Sequence, residues 1–125
     1  MNYCTWKAPM VTLADGREVP SDHPDHRAEC EARHVLGMHQ PERVEFLDRA
    51  TQRRGADAVA SLKQTMAIVE PAYVLDLPNK PQRRAYLARL QFVSGQNAYD
   101  LLSKQILELH ERRKAAEVDL QTAAA

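Results

Sequence analysis

The chain has 125 residues, enough for a single domain with a modest core and little to spare for a second independent unit. Its 17 basic and 17 acidic residues cancel, so no global field draws it to nucleic acid or an anionic membrane, and any such partner must be met by a local patch. No apolar run approaches the roughly 18 residues of a membrane span, and the first residues lack the basic start and apolar stretch of a secretory signal, so a cytoplasmic protein is expected with no membrane partner.

Residues 9–20 read as a short β-hairpin. Val11, Thr12 and Val19 flank the pair Asp15-Gly16, whose glycine supplies the positive φ of a tight turn, and prolines bound the strands where no ladder donor is needed. An isolated ribbon is marginal in water, so the hairpin should lean on the helices through Tyr3, Trp6, Val11 and Leu13. Ser21-Asp22-His23-Pro24 then offers a cap followed by a proline in the first helical turn, and Gly37 a stop, with Ala28, Ala32, Val35 and Leu36 as the apolar face. The next helix opens at Pro41 and ends at Gly55; its pattern buries Val44, Phe46, Leu47 and Ala50 and turns Glu42, Glu45, Asp48, Gln52 and Arg53 to water. A third helix spans about 57–69 with Val59, Leu62, Met66 and Val69 in its stripe, and Pro71 interrupts it.

From there the plan is written again. Pro41, Arg43, Phe46, Leu47, Arg49, Gly55, Ala58, Leu62 and Met66 recur 40 residues later as Pro81, Arg83, Tyr86, Leu87, Arg89, Gly95, Ala98, Leu102 and Ile106. Upstream of the prolines the match shifts by one, pairing Val35-Leu36 with Val74-Leu75 and Met38 with Leu77, so the second copy carries an extra residue near Lys80. The second copy therefore predicts a short helical turn at 72–77, a helix over 81–93 stopped by Gly95, and a long helix from Asn97 with Tyr99, Leu102, Ile106 and Leu109 inward. Gly55 and Gly95 should each hold positive φ, and Phe46 and Tyr86 should be equivalent core positions facing Leu62 and Leu102.

The expected fold class is all-α: a compact helical bundle of two repeated helix pairs plus an N-terminal helix, with a short N-terminal β-hairpin. One domain over 1–125 would comprise a hairpin segment (1–20), a first helical repeat (21–70), a second (71–115) and a frayed tail (116–125).

Several residue sets bear on chemistry. Cys4, His23, His26 and Cys30 form a candidate zinc set, since His26 and Cys30 stack on one helix face and His23 lies one turn earlier. Paired Cys-x2-Cys knuckles are absent, so the bland reading, a half-buried Cys30 among surface histidines with no cofactor, outweighs it; in a reducing cytosol the two cysteines are free thiols or ligands, not a disulfide. Glu31 and His34 match a di-iron Glu-x-x-His pair, but the second copy offers Tyr73 and Val74 in the corresponding region, so a solvated helix face is the reading. No glycine-flanked serine, phosphate loop or activated cysteine is present, and an enzyme is not expected. Lys80, Arg83, Arg84 and Arg89 face no acidic residue between Leu77 and Tyr99, which makes a local basic patch with Tyr86 and Phe92 nearby. Those aromatics match the core stripe, and Arg83 and Arg89 recur as Arg43 and Arg49 in an acid-rich half, which points to structural placement of at least those two.

The run Asp15-Gly16-Arg17-Glu18-Val19 to Ser21, then Arg27-Ala28-Glu29-Cys30-Glu31-Ala32-Arg33, Val35-Leu36, Met38, Arg43, Phe46-Leu47 and Arg53-Arg54-Gly55, resembles a family of small proteins encoded by phages and prophages of proteobacteria, one with no established activity. The likeness covers roughly residues 16–66; the second copy lacks a Glu-Cys-Glu-Ala-Arg run. It implies a phage setting, in which small helical proteins without catalytic residues act by binding and blocking a host protein. The expected function is a stoichiometric inhibitor of a host defence or regulatory complex, of the anti-CRISPR kind, acting in the bacterial cytoplasm. The alternative is a nucleic-acid-binding accessory protein using the basic patch, and a homodimer is left open.

Overall fold

Five helices follow a two-stranded hairpin in the computed structural model, which describes residues 7–124. Strands β1 (Met10–Thr12) and β2 (Glu18–Pro20) pair antiparallel with Val11 opposite Val19. Gly16 adopts φ +93° and donates its N–H to the Leu13 carbonyl at 2.9 Å, while the Leu13 N–H reaches the Arg17 carbonyl at 2.8 Å. This is the three-residue loop with glycine in its last position that an Asp-Gly pair favours. Leu13 and Val19 are buried, so the ribbon does lean on apolar neighbours; Tyr3 and Trp6 lie outside the described residues.

Helix α1 (Pro24–Leu36) opens on His23, whose Nδ1 accepts the Asp25 N–H at 3.0 Å, with Pro24 in the first turn. Ala32, Val35 and Leu36 are its buried residues, and Gly37 ends it at φ −77°. Helix α2 (Gln40–Arg54) and helix α4 (Lys80–Ser94) are both 15 residues long, each with a proline in its first turn. Asn79 caps α4 by accepting the Gln82 N–H at 2.9 Å.

The joints after these two helices are single residues. Gly55 has φ 92° and ψ 165°, Gly95 has φ 93° and ψ 178°, and each ends one helix and begins the next. Gly55 donates its N–H to the Thr51 carbonyl and accepts the Val59 N–H; Gly95 does the same between Gln91 and Tyr99. That combination of φ and ψ is essentially restricted to glycine. The repeat therefore holds at the level of backbone torsions.

Two expectations are corrected in the long helices. Helix α3 (Ala56–Leu75) runs through Pro71 and absorbs the separate turn expected at 72–77. The proline removes a donor to the Ala67 carbonyl, but Ala67 is exposed, and Val69, Ala72 and Val74 are nearly fully buried on either side of it. Helix α5 (Gln96–Ala124) includes the tail expected to fray. Its last ten residues, 115–124, include four alanines, the strongest helix former, which favours the conformation without packing.

In the first unit Val59, Leu62, Met66 and Val69 of α3 are buried, and in the second Leu102 of α5, as their spacing predicts. Val44 departs from it: the residue is 48% exposed, because it falls on the outward side of α2. Phe46 and Tyr86 are half-buried. Phe46 meets the edge of His34 in α1, and Tyr86 packs on Tyr73 in α3 with ring centroids 5.7 Å apart. The chain divides into two compact units, Met1–Val69 and Glu70–Ala125.

Open space surrounds both joint glycines, so a methyl group there meets nothing within 4 Å and its cost is backbone strain alone. Gly55→Ala and Gly95→Ala should each destabilise by about 1–2 kcal/mol, the strain being partly offset by a less flexible unfolded chain. Urea unfolding reads this, and an unchanged midpoint in either variant would show that the joint tolerates a side chain.

Candidate functional site

The motif residues of the first unit are engaged with one another. Glu29 is largely buried in the helix α1 face, its side chain 12% exposed, and its Oε2 accepts the Ala14 N–H at 3.0 Å, tying the hairpin loop to α1. Arg17 bridges Asp15 and Asp25 at 2.7 and 3.0 Å. Its backbone N–H, then its guanidinium, hold the Asp15 carboxyl below its ordinary value. These groups line a cleft of about 160 Å³ with Leu13, Thr65 and Ile68, and its charges are already paired within its own walls.

Glu31 and Arg54 form a bidentate pair, with Nη1–Oε1 at 2.7 Å and Nη2–Oε2 at 2.8 Å. The Glu-Cys-Glu-Ala-Arg run and the Arg-Arg-Gly stop thus meet in space, fastening the end of α2 to α1. The hydrogen bonds from Arg54 hold Glu31 below its ordinary 4.5, against burial, which pushes it up. His34, the other half of the Glu-x-x-His pair, rests on Phe46.

Of the candidate zinc ligands, His26 Nε2 and Cys30 Sγ approach to 3.5 Å on α1, while His23 Nδ1 serves as the helix cap. Cys4 lies outside the described residues. Among the described residues no group of three or more His, Cys, Asp or Glu side chains is arranged to hold a metal ion.

The second unit answers the first by exchange of partners. At the shift of one residue found upstream of the prolines, Glu31 corresponds to Glu70 and His34 to Tyr73. Downstream, Arg54 corresponds to Ser94 and Phe46 to Tyr86. Glu70 has no arginine to meet at the helix end, and it accepts instead from the Tyr86 hydroxyl, which Phe46 lacks. Arg43 and Arg83 keep one role: Arg43 Nη2 donates to the Leu36 carbonyl at 3.1 Å, and Arg83 Nη1 to the Leu77 carbonyl at 3.0 Å. Arg43 thereby satisfies the last carbonyl of α1, and Arg83 a carbonyl two residues past the end of α3.

The four basic candidates therefore separate. Arg83 is half-buried and turned inward on Leu77; Lys80, Arg84 and Arg89 are exposed. Phe92, expected from its stripe to be inward, is 92% exposed. The sequence carried the signal for this, because Phe92 lies 40 residues after Gln52, an outward position of α2. Pro81, Ala85, Ala88 and Phe92 lie along one outward face of α4, all exposed, with Arg84 and Arg89 beside them. The matching positions of α2 are Pro41, Glu45, Asp48 and Gln52, an ordinary solvated face on which Glu45 pairs with Arg49. One copy thus presents acids and amides where the other presents two alanines and a bare phenyl ring among arginines.

Residues 19–68 match the model of a family of unknown function (DUF7696). The match covers β2, α1, α2 and most of α3, the first copy and its linked motifs, and leaves α4 and α5 outside. No curated protein and no solved structure matches the chain. No helix among the described residues is long and apolar enough to cross a membrane.

Two predictions separate structural from surface charges. Glu31 is depressed in the folded state, so its contribution to stability is complete above pH 4.5 and is lost as the pH falls through the lower folded value, where the carboxylate is protonated. Glu31→Gln should flatten that part of the stability curve and leave the neutral-pH slope unchanged, as followed by urea midpoints against pH. Arg83→Ala should destabilise by about 1 kcal/mol through the lost carbonyl bond, whereas Arg84→Ala should stay within about 0.5 kcal/mol; thermal melts of the two variants compare them.

Proposed function

We propose that this chain is a non-catalytic protein-binding module encoded by a phage or prophage, a stoichiometric inhibitor of a host defence or regulatory complex of the anti-CRISPR kind, and that it docks through the outward face of α4. The observation that carries the reading is Phe92. A phenyl ring left 92% exposed costs hydration free energy and contributes nothing to the fold, so its value lies in what covers it. Aromatic and arginine side chains are the residue types that dominate protein interfaces, and here they stand together on a rigid helix. The likeness of the first copy to phage and prophage proteins supplies the setting, and the linked Glu31–Arg54 and Glu29–Ala14 contacts leave that copy a scaffolding role.

A second reading shares the same residues. Lys80 and Arg84 could follow a phosphate backbone with Phe92 stacking a base. Affinity capture from the bacterial host with the tagged full chain separates the two. The protein-binding reading expects a saturable protein partner that survives nuclease treatment and is reduced about tenfold by Phe92→Ser. Capture abolished by nuclease, together with a low-salt gel shift lost in Arg84→Glu, would replace it with the nucleic-acid reading.

A further inference from the structure

We infer that His23 is a pH-sensitive latch between the hairpin and α1. Its neutral ring caps the helix and leaves the Asp25 carboxylate to Arg17; its protonated ring gives up the cap and takes that carboxylate for itself. The structure holds the first state. His23 Nδ1 accepts the Asp25 N–H at 3.0 Å, and Arg17 Nη2 donates to Asp25 Oδ2 at 3.0 Å. A ring nitrogen accepts such a bond only while it carries no proton, so the cap belongs to the neutral imidazole with its hydrogen on Nε2. The cap of α4 carries no such condition, because the Asn79 side-chain oxygen accepts at any pH near neutrality.

The second state uses the same atoms. His23 Nδ1 lies 3.9 Å from Asp25 Oδ2, the oxygen that Arg17 holds. A proton on Nδ1 turns the ring from an acceptor into a cationic donor with that oxygen in reach. Two cations then address one oxygen at the N-terminus of a helix, where positive charge is disfavoured. Arg17 is the one able to leave, since its side chain is 58% exposed and Asp15 Oδ2 still holds its Nε at 2.7 Å. The other charged groups at this corner do not take over the role of Asp25. From the hairpin come Arg17 and Asp15, already paired; from the chain beside His23 come Asp22 and Arg27, both exposed, and His26, which is turned to Cys30. On the α3 side, Thr65, Ile68 and Val69 line the cleft next to Asp25 and bring no charge. What the ring loses as a cap it regains as an ion pair, so acidification exchanges contacts here and leaves the Ala14–Glu29 bond to hold the loop.

The test is NMR of the full chain, labelled with nitrogen-15, from about pH 8 to about pH 5.5, a range that brackets the ordinary imidazole value. At the upper end a scalar coupling across the hydrogen bond should join the Asp25 amide nitrogen to His23 Nδ1, and at the lower end it should be gone. The Leu13 N–H, bonded to the Arg17 carbonyl at 2.8 Å, reports on the loop. Its protection from hydrogen exchange should fall about tenfold over the same range as Arg17 releases Asp25. His23→Asn supplies a cap that does not titrate, and in that variant the Leu13 protection should stay level, with far-ultraviolet circular dichroism confirming that both proteins are folded throughout. Absence of the coupling at the upper end, or its survival at the lower end, would overturn the inference. So would loss of the coupling with no change at Leu13, or a Leu13 response that persists in His23→Asn.

Discussion

Everything in the helical part of this chain is set by what a single glycine can do between two helices. At Gly55 and Gly95 the backbone takes a torsion pair that a side chain resists, and in that one residue a helix ends, a carbonyl is satisfied and the next helix begins. A longer loop would let neighbouring helices drift in angle and register, at a cost in loop entropy. With one residue there is almost no such freedom. The side chains of α2 and α3, or of α4 and α5, are consequently held in fixed phase, and this is why the same pattern of apolar residues works twice.

Within that frame the two copies have diverged by trading partners. The glutamate on the helix before the joint pair is kept in both, as Glu31 and Glu70, but it meets a guanidinium in one copy and a phenol in the other. The first copy carries the linked motif and the family likeness, and its outward helix face is ordinary. The second lacks the motif, and its α4 leaves Pro81, Ala85, Ala88 and Phe92 exposed. Such a division is what duplication permits: one copy retains the contacts that make the unit fold, and the other is released to vary its surface.

The sequence was most legible where periodicity and punctuation agree. The hairpin at Asp15-Gly16, the prolines opening α2 and α4 and the glycines closing them were all readable, because each is a local demand met by one residue type. Pro71 misled because a proline breaks a helix only when nothing else holds it, and the burial of Val69, Ala72 and Val74 is a tertiary fact that residue type does not record. The tail of α5 misled in the opposite sense, since a helix without a stripe can persist on propensity. At the candidate site, reading charge alone grouped Arg83 with Arg84, though one caps a carbonyl and the other faces solvent. The apolar stripe of the second copy points Phe92 inward, whereas its alignment with Gln52 points it outward. The glutamate exchange was hidden by the one-residue shift between the copies.

The placement of tyrosines has an optical consequence. Tyr73, Tyr86 and Tyr99 all belong to the unit Glu70–Ala125, and the described residues of the first unit contain no tyrosine or tryptophan. A phenol whose hydroxyl is bonded to a carboxylate, as Tyr86 is to Glu70, loses emission by proton transfer in the excited state. Unfolding frees it, so the second copy carries a built-in lamp that brightens when Glu70 lets go, while the first copy is dark in its described residues.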